Sequence, residues 1–256
     1  MNYIKDQKEL SGKIVLLRLD LNVPLKNGKI SDETRIDKII PIFKYLINNR
    51  SKIVVISHIG RPDGKFNNEL SVKPICQHLA KKINKKINLI TENIFKLNRK
   101  NLFINSDDEI VFLENIRFYQ DEERNDNNFS KHLASLGDLY INDAFSCSHR
   151  AHASVCKITN FLPSYAGLQF ETEVNALRKV TTEIKKPITC IIGGSKISTK
   201  INIIKNLIPK FDNIIVVGGM ANNILKYEGY SIGKSIKENN CEASIQEIFK
   251  HSKKHS

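Results

Sequence analysis

The stretch IVLLRLDLNVP, residues 14–24, is a run of branched apolar side chains that opens into Asp20 and Asn22. A short apolar run without alternation, followed by turn formers, reads as a strand buried on both faces. The pattern recurs: IVVI (53–56) leads into SHIGRPDG, IVFL (110–113) into ENIRF, LYI (139–141) into NDAFSCSHRAH, and ITCII (188–192) into GGSK. Residues 87–90 and 214–217 are further runs of this kind. Strands of a parallel sheet all end on the same side, so residues just past their carboxyl ends converge on one crevice even when they are far apart in sequence.

Between these runs the apolar spacing lengthens to three and four. Ile36, Ile39, Ile40, Phe43, Leu46 and Ile47 mark one helix face, and Val72, Ile75, Cys76, Leu79 and Ile83 mark another. Ser71 is the expected cap of that second helix, whose early Pro74 is tolerated where the amide would be unpaired anyway. This alternation predicts an α/β fold, with a Rossmann-like parallel sheet covered on both faces in an N-terminal domain. The pattern changes at FLPSYAG (161–167), and a charged helix over 171–185 ends before Pro187. The predicted organisation is a first domain over 1–170, an interdomain helix over 171–187 and a second Rossmann-like series over 188–256. That second series holds only two strands, so it is expected to be the start of an incomplete domain.

A chain of 256 residues that is 41% hydrophobic can bury a substantial core. The amino terminus MNYIKDQKEL is not an apolar export segment, and charge or Asn breaks every apolar run short of a membrane span. A cytoplasmic protein without a membrane partner is the expectation. Five cysteines without a CxxC pair support neither a zinc site nor a disulfide framework. The formal charge of +13 raises a nucleic-acid reading, but most of it is lysine spread along the chain without interleaved aromatic residues, which argues against one. Arginine is the more selective residue: only nine occur, and Arg35, Arg61, Arg117 and Arg150 lie in or beside the polar turns. A guanidinium binds phosphate and carboxylate in a bidentate fork.

Asp20 and Asn22 have two readings, as turn formers bonding their own backbone or as hydrogen-bonding groups for a ligand. Arg35 falls at a helix start, where cation and helix dipole together favour an anion. Gly60 lets the backbone approach a ligand beside His58 and Arg61. His149 and His152 lack a third ligand nearby, so they are read as positioning Arg150 or an anion rather than holding a metal. Gly193 and Gly194 with Lys196 and Lys200, and the second pair Gly218 and Gly219, suit a phosphate or a flat base against the backbone, although neither matches a known phosphate-loop pattern.

Taken together, RLDLNVP, SHIGRPDG, FLENIRF, NDAFSCSHRAHAS, LPSYAG and IGGSKISTK resemble, in order and spacing over nearly the whole chain, the signatures of phosphoglycerate kinase. The resemblance implies a glycolytic, usually monomeric phosphotransferase of two Rossmann-like domains facing a cleft. One domain binds 3-phosphoglycerate or 1,3-bisphosphoglycerate, and the other binds magnesium ATP or ADP. Carried over by position, Asp20 and Asn22 contact the glycerate, and His58, Arg61, Arg117 and Arg150 hold its phosphate. Arg35 and Lys196 stabilise the phosphoryl group in flight. Lys200 neutralises nucleotide phosphates, and Gly193, Gly194, Gly218 and Gly219 line the adenine pocket. Val217 stands where the family usually has a third glycine. The family's nucleotide-contacting Glu and its GGGDT-type loop, which presents an Asp to magnesium, fall past the equivalent of Ser256 and have no counterpart here. The expectation is therefore a phosphoglycerate kinase with little activity in this chain alone. The alternatives are a non-catalytic remnant, or half of a split enzyme completed by a second polypeptide, that binds 3-phosphoglycerate only.

Overall fold

A computed structural model describes residues 1–26, 28–104 and 109–255. The chain divides into two compact units, Met1–Val174 and Asn175–Ser256. The strands are β1 (Ile14–Leu19), β2 (Leu25–Lys26), β3 (Lys29–Ile30), β4 (Lys52–Ile56), β5 (Asn88–Ile90), β6 (Ile110–Leu113), β7 (Leu139–Asp143), β8 (Ser164–Ala166), β9 (Thr189–Gly193) and β10 (Asn213–Val217). The helices are α1 (Thr34–Asn48), α2 (Lys73–Ile83), α3 (Arg99–Leu102), α4 (Gln120–Glu123), α5 (Asn127–Ser135), α6 (Leu168–Thr181), α7 (Ile201–Leu207), α8 (Gly219–Tyr227) and α9 (Glu242–His255). None is long and apolar enough to cross a membrane.

In the first unit six strands form an all-parallel sheet in the order β5-β6-β4-β1-β7-β8. Side chains alternate between its faces. Val15, Leu17, Ile53, Val55 and Phe112 pack with Ile36, Phe43 and Leu46 of α1 and Ile75 and Leu79 of α2. Leu16, Val54, Val111 and Tyr140 pack on the other face with Phe129 and Leu133 of α5. Burial on both faces is why these strands are apolar throughout. The chain runs from β1 outward through β4 to β6, then returns to set β7 on the other side of β1. That reversal opens a crevice at the carboxyl ends of β1 and β7.

The cap position of α2 is Val72, which has no side-chain acceptor, so the expected cap Ser71 lies one residue too early, although its Oγ accepts from the Lys73 amide at 3.1 Å. The charged helix differs from its expected span: α6 runs Leu168–Thr181, beginning earlier than 171 and ending before 185. Its first turn is held from a distance, because Asp143 Oδ1 accepts from the Phe170 amide at 2.8 Å. The division into units falls at Val174, inside this helix.

In the second unit β9 and β10 pair in parallel, and α7, α8 and α9 pack on one face around Ile204, Met220 and Ile245. The other face is bare: Ile191 is 69% exposed, Ile215 48% and Val217 41%.

Candidate functional site

The turn after β1 is tied to the turns that follow β4 and β7. Ser57 accepts from the Leu21 amide at 3.2 Å and donates to the Leu19 carbonyl at 2.9 Å, which aligns the ends of β1 and β4. Asn22 Oδ1 accepts from the Gly60 amide at 3.0 Å. Asp20 accepts from the Asn22 amide at 3.2 Å, and its other oxygen receives the Arg35 guanidinium and the Ser146 hydroxyl. Both readings of this turn therefore hold in part, since Asp20 bonds its own backbone and also gathers groups from α1 and the turn after β7. A cavity of about 220 Å³ lies here, lined by Asp20, Arg35, Asp143, Ser146, Gln169 and Glu173 among others.

Beside it the cations collect. Asn115 donates to the Ile59 carbonyl at 2.8 Å and accepts from the Arg117 amide at 3.1 Å, fixing the turn after β6 against that after β4. Arg117 is 2% exposed; its Nη1 donates to the Gly60 carbonyl at 2.9 Å, and Glu123 lies 3.4 Å from Nε. Its Nε and Nη2 have no hydrogen-bond partner. Burial, then the Arg150 charge, holds its guanidinium below the ordinary arginine value. His58 is depressed to about 2, first by burial and then by the charges of Arg18, Arg117 and Arg150. Burial and Arg117 likewise lower His152, whose Nδ1 lies 3.8 Å from Glu122. A buried guanidinium with an unmade Nη2 donor, among neutral imidazoles and further arginines, is an arrangement chemically able to bind an anion.

Gly60 has φ +64, and a Cβ there would lie 2.7 Å from Leu70 Cδ2, so this turn requires glycine. Arg61 is exposed just after it, with no hydrogen bond or ion pair among the described residues, so of the expected anion ligands it is the one not drawn into the cluster. His149 is also exposed.

Sequence reasoning missed Arg18, Ser154, Glu122 and Asp143. Arg18 is fully buried at the end of β1, on the Leu16 side of the sheet. Its sequence signal was present: a lone cation inside an apolar strand. Asp143 is 3% exposed, with Oδ2 unpartnered. Burial raises it to about 6, opposed by the amides of Phe170 and Gln169.

These two buried groups predict opposite pH slopes. The His58 value is depressed, so its contribution is complete above the ordinary 6.5 and is lost as pH falls. Asp143 is raised from 3.8 to about 6, so its contribution is lost as pH rises through that interval. Urea melts between about pH 4 and pH 6 should show the stability difference between the parent and His58→Gln growing by about 1.4 kcal/mol per pH unit. The difference between the parent and Asp143→Asn should shrink at about the same rate. Parallel pH profiles for all three proteins would contradict both assignments.

Among the described residues, the one group of three or more His, Cys, Asp or Glu side chains close enough to hold a metal is Asp20, His58 and Cys147, whose atoms lie within 4.8 Å of one another. It does not fit magnesium, which asks for an octahedron of oxygens. It does not suit a softer ion either, since Arg18 donates to His58 Nδ1 and Arg35 occupies Asp20.

In the second unit the two glycine pairs pack on each other. A Cβ on Gly193 would lie 2.7 Å from Val217 Cγ2, and one on Gly219 would lie 3.2 Å from the Gly194 carbonyl. The Met220 amide donates to that carbonyl at 2.9 Å, and Gly218 has φ +66. Gly193, Gly194, Lys196 and Gly218 are exposed, and Lys200 is half-buried. Glu238 accepts from the Ser198 amide at 3.1 Å and from its hydroxyl, and Lys196 helps hold that carboxyl below its usual value. An incoming anion would therefore meet Glu238 near Lys196.

A family model described as phosphoglycerate kinase matches residues 4–256. The chain is similar to the phosphoglycerate kinase of Wolbachia sp. subsp. Brugia malayi (strain TRS), 46% identical over 242 residues that cover 94% of this chain and 60% of that protein. It is 42% identical to the phosphoglycerate kinase of Dictyoglomus turgidum, over 96% of this chain and 62% of that one. Among solved structures, phosphoglycerate kinase from Coxiella burnetii matches with a TM-score of 0.85 at 37% identity, over 98% of this chain and 63% of that chain. The Pyrococcus horikoshii OT3 structure, at 23% identity and a TM-score of 0.81 over 99% of this chain and 64% of that chain, shares the fold. The chain spans about three fifths of the length of the curated relatives it matches.

Proposed function

The chain belongs to the phosphoglycerate kinase family, and from that premise we propose that its first unit is the acceptor half of a reversible phosphoryl transfer. In that reaction ATP and 3-phosphoglycerate give 1,3-bisphosphoglycerate and ADP. The observation that carries this reading is the buried Arg117 guanidinium, whose Nη2 is unpartnered and whose Nε faces only the Glu123 carboxylate at 3.4 Å, without a hydrogen bond. Desolvating those donors is costly unless a ligand completes them, and a phosphate offers the acceptors.

In this reading Arg117, Arg150 and His58 hold the 3-phosphate, and Arg61 closes on it from the exposed turn. Asp20 and Asn22 hydrogen-bond the glycerate. The reacting carboxylate is ionised at neutral pH and needs no general base, so the chemistry asks for alignment and positive charge. Arg35, 49% exposed at the start of α1, supplies charge to the transferring group once Asp20 turns to the substrate. Lys196 shares that role, Lys200 neutralises nucleotide phosphates, and Gly193, Gly194, Gly218 and Gly219 let ATP or ADP lie close to the backbone. Magnesium accompanies the nucleotide in this reading, but no cluster among the described residues suits it, so no step is assigned to it. Five free thiols, three of them buried, support a reducing, cytoplasmic setting.

A chain that binds 3-phosphoglycerate without turning it over is the second reading. The contrast between a buried anion pocket in the first unit and exposed glycine turns in the second favours it. Thermal melts with 3-phosphoglycerate and with magnesium ADP, beside a coupled turnover assay, test both. Stabilisation by millimolar 3-phosphoglycerate is expected. A folded chain indifferent to it overturns the acceptor site, and measurable turnover excludes the second reading.

A further inference from the structure

We propose that Arg18 is a positioning residue of the 3-phosphoglycerate site, fixing the tautomer of His58 so that the ring turns an Nε2–H donor, rather than a lone pair, to the anion. This rests on the acceptor-site reading above. Arg18 Nη2 lies 3.1 Å from His58 Nδ1. A guanidinium has donors only and stays protonated in proteins, so Nδ1 must accept. A neutral imidazole that accepts at Nδ1 carries its proton on Nε2. The ring takes no second proton in its buried setting beside Arg18, Arg117 and Arg150. The one hydrogen bond of the ring among the described residues is at Nδ1, so Nε2 is the ring nitrogen left for a ligand.

The guanidinium is held rigidly enough to impose this choice. Its Nη1 donates to the Leu19 carbonyl at 2.5 Å and its Nε to Ser154 Oγ at 3.0 Å. Ser154 Oγ donates to Glu122 Oε1 at 2.6 Å, while the Ser154 amide donates to Glu122 Oε2 at 2.8 Å. Glu122 and Ser154 are fully buried, and so is Arg18, which is therefore placed to act through His58. The tautomer decides the sign of the contact: an Nε2–H attracts a phosphate oxygen, and an Nε2 lone pair repels it.

Nitrogen-15 NMR of the imidazoles in the whole chain reads the tautomer without ligand, His58 being identified by its loss in His58→Gln. The unaltered chain is expected to show His58 as a single neutral Nε2–H form from pH 8 to pH 5. Arg18→Met should give a mixed tautomer, with 3-phosphoglycerate affinity lowered about ten- to a hundredfold. Arg18→Lys, which keeps a donor, should restore the Nε2–H signature. If Arg18→Met does not fold, Arg18→Met with Glu122→Gln removes both buried charges and is read in the same way. An Nδ1–H form in the unaltered chain, or an unchanged tautomer without Arg18, overturns the proposal. A correct tautomer in a chain that does not bind 3-phosphoglycerate overturns the acceptor-site reading and the positioning role with it. A wrong tautomer with binding intact overturns the positioning role alone.

Discussion

Replacing Arg117 with methionine is expected to abolish 3-phosphoglycerate binding at millimolar ligand while leaving the chain at least as stable as before. The first half follows from burial. Charge-assisted bonds inside a desolvated pocket are worth far more than surface ion pairs, and truncating one partner of a buried charged contact costs about 2–5 kcal/mol, roughly thirty- to several thousandfold in Kd. The second half follows from what Arg117 lacks. Without a ligand Nη2 is buried and unmade, Nε faces only Glu123 at 3.4 Å, and burial and the Arg150 charge hold the guanidinium below its ordinary value. Methionine fills similar space with no donor to satisfy. It forfeits the Nη1 bond to the Gly60 carbonyl and the contact with the part-exposed Glu123 but removes a larger desolvation burden, so stability should be unchanged or raised by up to about 2 kcal/mol. Isothermal titration with 3-phosphoglycerate and urea melts of both proteins give the two numbers. A variant that loses stability and affinity together would mean that Arg117 is a structural residue whose partner was misread.

The sequence carried much of this site and little of what supports it, for a physical reason. β1 and β6 were legible because both faces of a central parallel strand are buried, which leaves an apolar run bounded by polar turns, broken in β1 only by Arg18. β8 was not, because Ser164, Tyr165 and Ala166 form a strand of three residues at the sheet's edge, paired with β7 and bridged on its outer side by Tyr3 alone. The start of α6 was obscured for another reason. Leu168 and Phe170 look like the end of a loop, and the carboxylate that holds the first turn is Asp143, 27 residues earlier. The arginines of the turns could be found because their chemistry shows in residue type alone. Arg18 stood out as a cation in an apolar strand, but its partners needed the fold, since Ser154 meets Arg18 across 136 residues and Glu122 across 32. Local sequence shows which groups can bind an anion. Only the packed sheet shows what holds them still.

Glu122→Leu is the substitution expected to damage the fold most. Both carboxylate oxygens are engaged by Ser154, which also accepts from Arg18, and all three residues are fully buried. Removing the carboxylate leaves the Arg18 charge inside the core layer beside Leu16 and Tyr140 with its compensation gone, and breaking a buried pair in this way costs about 3–5 kcal/mol. Urea melts should register that loss, and Ser154→Ala should reproduce part of it by cutting the bridge between the two charges. The double variant Arg18→Leu with Glu122→Leu tests the account most sharply. With both charges replaced by apolar side chains the desolvation burden disappears, so the double variant is expected to be more stable than Glu122→Leu alone, a coupling that a double-mutant cycle isolates. It should nevertheless bind 3-phosphoglycerate as poorly as Arg18→Met, because His58 has lost the donor that fixed its ring. Stability regained without affinity would locate the use of this buried network in the ligand pocket. Affinity regained together with stability would show that Arg18 and Glu122 serve only the core, and that the orientation of His58 is set elsewhere.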